Sequence, residues 1–156
     1  MNHEFVDLPA FTCIGLQAEG LLHSAIEWVP RLWEELALRE GEILHLERRG
    51  TWGLMSDPRI FLAPWGGQKG LYLACHEVPQ GTRPFGDWKV WDIPATMWMR
   101  IPCRIDQIGE AMDHSRKVLR TDMNWQWSGA AHEFYPTGFS DPGRDVLHLM
   151  LALAPR

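Results

Sequence analysis

Apolar and polar positions alternate along several short runs of this chain, and two longer stretches return an apolar residue every three to four positions. Side chains change face at every residue of a strand and recur every 3.6 residues on a helix, so the two patterns predict different elements. Phe5 to Gln17 reads as a first strand with Pro9 at its entry, ended by Glu19-Gly20. Ser24 with Glu27 is a capping-box pattern, and Ile26, Val29, Trp33, Leu36 and Ala37 mark one face of a helix over residues 24–40 closed by Gly41. Pro30 either opens that helix or kinks a short leading turn. Strands follow at Ile43–Arg49 and Thr51–Met55, with a turn at Pro64-Trp65-Gly66-Gly67. In the strand Gly70–Val78, Leu71, Leu73, Cys75 and Glu77 face one way and Tyr72, Ala74, His76 and Val78 the other. A long extended run spans Trp88 to Arg104; Ile93, Ala95, Met97, Met99, Ile101 and Cys103 share one face, and Trp98 and Arg100 the other. Asp106 can cap a second helix, over 106–120, whose apolar stripe is Ile105, Ile108, Met112 and Leu119. A loop at Trp125–Gly129, a short strand at Ala131–Tyr135 and a final strand at Asp145–Ala154 complete the chain.

The order strand, helix, strands occurs twice. The arrangement that buries every apolar face is an α+β fold, one antiparallel sheet with both helices on one side. No linker divides the chain, and residues 1–156 are expected to form a single domain. Apolar residues make up 46 % of the chain and charged residues 22 %, an ordinary globular balance. Acidic side chains outnumber basic ones 20 to 15, a net charge of -5, and no basic stripe is present, which argues against a direct nucleic-acid partner. Cys13, Cys75 and Cys103 lie in apolar stretches without a CxxC pair and fit buried thiols in a reducing compartment. With no signal-like start and no apolar run of membrane-spanning length, the expected location is the cytoplasm.

Nine tryptophans are more than a core of this size needs, and large rings suit a cavity. Glu133 and Tyr135 project from the same face of their strand, where a carboxylate beside an aromatic ring suits a cation. The alternative is an edge-strand glutamate facing water. Glu77 is a second candidate carboxylate, or a solvated strand end, and Trp98 is a candidate cavity wall, or ordinary packing. Trp52, Trp65, Trp88, Trp91, Trp125 and Trp127 lie in or beside loops that could rim a site. The seven histidines form no metal motif, and neither a nucleophile elbow nor a phosphate loop is present, so no metal or cofactor is expected.

In order along nearly the whole chain, these segments resemble the DNA gyrase inhibitor-like family, the effector-binding domain of AraC-type and MerR-type activators. The segments are Leu8-Pro9, Val29 to Leu36, Trp52 to Asp57, Leu71 to Val78, Ile93-Pro94-Ala95 and His132-Glu133-Phe134-Tyr135. The resemblance implies two β-α-β-β repeats related by a pseudo-two-fold and a groove between the helices that takes aromatic or amphipathic cations. It assigns the groove's buried glutamate to Glu133 and its companion tyrosine to Tyr135. Trp98, Trp33 and Glu77 are the further expected contacts. It extends to stand-alone proteins of integron cassettes, to hydrolases of strained cyclopropane-containing compounds, and to modules that act on gyrase or on a separate regulator, so homodimers and regulatory partners are among the expectations. His132 and Trp98 depart from the family's usual residues, which bears on ligand size and identity.

Overall fold

A computed structural model describes residues 1–156. Its strands are β1 (Glu4–Leu8), β2 (Phe11–Leu21), β3 (Gly50–Ser56), β4 (Lys69–Val78), β5 (Lys89–Ile93), β6 (Thr96–Cys103), β7 (Trp125–Tyr135) and β8 (Leu147–Pro155). Helices α1 (Ala25–Leu38) and α2 (Ile108–Thr121) lie where the apolar periodicity predicts them. The strands form one sheet in the order β1-β6-β8-β7-β3-β4-β2-β5, with every pairing antiparallel. The predicted α+β architecture is the one observed.

The order is symmetric. Each half runs strand, helix, strand, strand (β2-α1-β3-β4 and β6-α2-β7-β8), and the halves meet at the β3–β7 pairing. The predicted single strands at 5–17 and 88–104 are each two strands, separated by Pro9-Ala10 and by Pro94-Ala95. Proline withholds a ladder N–H and so ends the pairing, and the segment before it crosses to the other half: β1 pairs with β6, and β5 with β2. Leu8 and Phe11 are three residues apart, a reach of at most about 11 Å, yet their strands are six places apart in the sheet, roughly 29 Å if it were flat. The sheet is therefore curled until its ends nearly meet, with the helices outside.

That curl gives two cores. On the outer face Ile14, Leu16, Ala74 and Val78 pack under Leu32 and Leu36 of α1, while Ile101, Leu149 and Leu151 pack under Ala111 and Leu119 of α2. The inner face holds Phe11, Trp52, Leu54, Leu73, Trp91, Trp98 and Met150. Ile93 therefore sits with Trp98, not with Met97 as alternation through an unbroken strand predicts. The three cysteines are buried and free.

Several local expectations are corrected. Residues 43–49 form no strand; Glu40–Ile43 is a 3-10 turn leading into irregular chain. Ser24 makes no helix cap, because its hydroxyl bonds back to the Leu21 carbonyl. Pro30 lies inside α1, and Asp106 pairs with Arg104 while Gln107 Oε1 accepts from the Arg104 N–H. Trp125–Gly129 belongs to β7, which carries a register shift between Trp127 and Ala131. Trp127, paired with Leu153, and Ala131, paired with Leu151, stay on one face, so the irregularity does not flip Glu133 inward.

Candidate functional site

A cavity of about 1220 Å³ opens on the outer face, between the two helices and above the junction of the halves. α1 supplies Ala25, Ile26, Val29, Pro30 and Trp33; Ile108 and Met112 face them from α2. The floor includes Met55, Tyr72, Glu133, Tyr135 and Leu149, and Pro136, Gly138 and Phe139 of the β7–β8 connection close one side. The gap follows from the packing: α1 covers β2 and β4, α2 covers β6 and β7, and neither crosses the centre line.

Glu133 stands on that line. Its Cα partner across the β3–β7 junction is Gly53. Aligning Pro9 with Pro94 and following the register strand by strand carries Gly53 onto Glu133, so the pair lies on the pseudo-two-fold axis. A side chain on both members would fill the same space. A carbon built onto Gly53 falls on the Tyr72 hydroxyl and 2.6 Å from Glu133 Oε1. The glycine is what leaves room for the glutamate and its partners.

Those partners are hydroxyls. The Tyr72 hydroxyl donates to Glu133 Oε1 at 2.6 Å, and the Tyr135 hydroxyl donates to the same oxygen at 3.0 Å. Trp33 Nε1–H donates to the Tyr72 oxygen at 3.0 Å, which aims the tyrosine proton at the carboxylate. Burial, and next the nearby Glu133 charge, hold both tyrosines above the ordinary phenol range, so they remain donors. Glu133 Oε2 has no protein donor and is not sealed; it opens to the cavity. No basic side chain bridges to Glu133. Burial raises its pKa above the usual carboxylate range, against the two hydroxyl bonds, which lower it.

Aromatic faces surround this carboxylate. Trp33 meets Tyr135 edge-on at 5.2 Å and Tyr72 at 6.3 Å, Trp65 lies 6.4 Å from Tyr72, and Phe139 lies 4.9 Å from Tyr135. At the far end His76 bonds Thr51 and Glu40, and Glu40 also pairs with Arg48. The charges there are already matched. A buried, unpaired carboxylate within an aromatic enclosure is an arrangement suited to a cation.

No sequence family matches the chain, and no curated protein matches it by sequence. Solved structures do. An integron cassette protein of Vibrio cholerae superposes with a TM-score of 0.66 at 10% identity, over 97% of this chain and 95% of that one. A protein solved bound to tetraphenylphosphonium gives 0.69 at 14% identity, over 99% and 94%. A protein of Listeria innocua described as a hydrolase gives 0.60 at 10% identity, over 97% and 91%. This chain has the fold of these proteins, two β-α-β-β halves joined in one antiparallel sheet.

Within this shared fold the expected site residues separate by face. Glu133, Tyr135 and Trp33 come together at the cavity. Trp98 and Glu77 do not. Trp98 is 1% exposed in the inner core, and Glu77 accepts from Trp52 Nε1–H at 3.2 Å on that same inner face. Of the six loop-side tryptophans only Trp65 and Trp127 line this cavity; Trp52, Trp88 and Trp91 are buried with their N–H groups bonded to Glu77, Glu42 and Gln17. Residue alternation does not single out Tyr72 and Gly53. The signal that could find them is a glycine inside a strand, which marks close approach, and a tyrosine among small residues one strand away.

Proposed function

We propose that this chain binds small aromatic or amphipathic cations in the cavity between its helices, with Glu133 as counter-charge and Trp33, Tyr72 and Tyr135 as walls. The observation that carries this reading is the Glu133 carboxylate, buried at the centre of an aromatic cavity, held by two hydroxyls and unpaired by any cation of the protein. A ligand cation takes the place of that missing partner and brings apolar area to the rings. The same fold in a protein solved with tetraphenylphosphonium supports it. Calorimetric titration with tetraphenylphosphonium and with an uncharged aryl isostere tests it: the cation binds at least tenfold tighter. Equal affinities would remove the electrostatic role.

Binding also carries a pH signature. The cation pairs with the ionised carboxylate, so protons compete with it. Because burial sets the pKa of Glu133 above the ordinary range, affinity for a permanent cation falls already above about pH 4.5 as the pH is lowered. Titrations from about pH 8 to 4 measure the fall. A flat profile would place the ligand away from Glu133.

A second reading, a hydrolase for strained electrophiles, rests on Glu133 Oε2, which opens to the cavity where it could hold a water. Turnover of a cyclopropane-containing substrate that is lost in E133Q separates it from simple binding. We further propose that the isolated chain does not grip DNA, since its acidic balance gives no field for a phosphate backbone. Salt-sensitive binding to a duplex, measured by fluorescence anisotropy, would overturn this.

A further inference from the structure

A second cavity, of about 690 Å³, lies on the opposite side of the sheet, between residues 60–63, the start of β6 and the irregular stretch of β7 at 128–130. His132 and Trp98 line it, and neither lines the first. The Met55 backbone N–H donates to His132 Nδ1 at 3.0 Å. A backbone amide can only donate, so Nδ1 is the bare nitrogen and the ring proton sits on Nε2. Burial pushes the pKa of this histidine down to about 3, so the ring is neutral. His132 Nε2–H has no protein acceptor and is not sealed; by elimination it opens to this cavity.

Trp98 forms a wall beside His132 and holds a second donor without a partner, sealed from the cavity. It is 1% exposed, its Nε1–H makes no hydrogen bond, and its ring centroid lies 5.6 Å from that of His132. Both groups carry hydrogens, so neither can satisfy the other. Buried donors without acceptors are rare in folded proteins; the Trp98 N–H is sealed within the core, so the open His132 Nε2–H is the one that marks a place for an external oxygen. Its charge can be read as well. Asp7 is the one charged residue of the lining, and a neutral imidazole offers no counter-charge, so an anion is disfavoured. Ile60 and Phe61, 64% and 56% exposed, stand at the same cavity and favour an apolar body.

We propose that this second cavity binds a neutral, largely apolar molecule with one carbonyl-type oxygen, which accepts from His132 Nε2–H while its apolar body lies against the Trp98 ring. The two faces of the sheet then take ligands of different charge.

Nitrogen-15 NMR of the full chain tests this, with acetophenone as probe, ethylbenzene as its counterpart without oxygen, and benzoate as the anionic counterpart. The expected result is a saturable shift of the Trp98 indole N–H and His132 ring signals with acetophenone. Ethylbenzene and benzoate bind at least threefold more weakly, and the Trp33 and Trp65 indoles do not move. His132→Phe keeps a ring and deletes the open donor, and lowers acetophenone affinity about three- to tenfold. Should that variant fail to fold, the comparison of the three probes on the native chain still decides. Equal binding of ethylbenzene, shifts confined to Trp33 and Trp65, or no shift up to the solubility of the ketone would each overturn the proposal; the last would leave the His132 donor to water alone.

Discussion

Replacing Glu133 by Gln is expected to weaken binding of a permanent aromatic cation about tenfold to hundredfold while making the unliganded protein more stable at neutral pH. Gln keeps the outline and an oxygen for the Tyr72 and Tyr135 hydroxyls, so the change removes charge and little else. A hydrogen bond to a charged group is worth about 1.5–3 kcal/mol, which sets the loss of affinity. The gain in stability follows from linkage. Burial raises the folded pKa of Glu133 above its unfolded value, so the folded state holds the proton more tightly. Its contribution to stability is full below the unfolded pKa, about 4.3, and is lost as pH rises through the folded pKa. At pH 7 the charge is a burden on the empty protein, and E133Q lifts it; below about pH 4 the two proteins should melt together. Calorimetric titration and thermal melts across pH measure both effects. Unchanged cation affinity, or a lower melting temperature for E133Q at pH 7, would show that the carboxylate is stabilised some other way.

Gly53→Ala is expected to damage the site and the fold together. The added methyl group takes the position of the Tyr72 hydroxyl and presses on Glu133 Oε1 at 2.6 Å. Tyr72 is 1% exposed and held against Trp33 and Trp65, so its hydroxyl yields only by giving up its bonds to Glu133 and Trp33. Overpacking a tight core costs about 1–3 kcal/mol, and a buried group left without its partner costs about 1–3 kcal/mol. Together they lower the melting temperature by roughly 5–15 °C in a chain of this length. Cation affinity falls as well, because the carboxylate loses the donor that orients it. In a double-mutant cycle with Tyr72→Phe the two losses should be smaller together than their sum, since both variants remove one hydrogen bond. Full additivity would mean that Gly53 acts elsewhere, and a melting temperature within about 1 °C of the native chain would mean that the junction is loose.

Much of the architecture can be read along the chain because it is local. The apolar spacing places both helices, and Leu36 of α1 and Leu119 of α2 are buried as read. Ile26 and Ile105 of the same stripes are exposed, whereas Leu32, Ala111 and Ser115 complete the buried faces. Glu133 and Tyr135 share a face through strand alternation alone. The prolines were harder. Pro9 and Pro94 announce a break but not where the chain goes next, and β1 and β5 cross between halves because free ladder edges wait there. Parity within a strand was right for Glu77 and Trp98, yet parity in one strand cannot be compared with parity in another until the register between them is known. The pairings Gly53–Glu133 and Gly53–Ala74 supply that register, and they set Tyr72 toward Glu133 and Glu77 away from it.

The sequence by itself determined the helices, the doubled order of elements, the acidic balance and a glutamate that shares its face with a tyrosine. Only the tertiary structure decided that this glutamate lies on the pseudo-two-fold axis, that a glycine clears its space, and that Tyr72 and Trp33 complete its hydrogen bonds. Helical and alternating periods are written in neighbouring residues. A site at the meeting of two half-sheets depends on backbone pairings between residues 80 positions apart, such as Gly53 and Glu133, which no local period records.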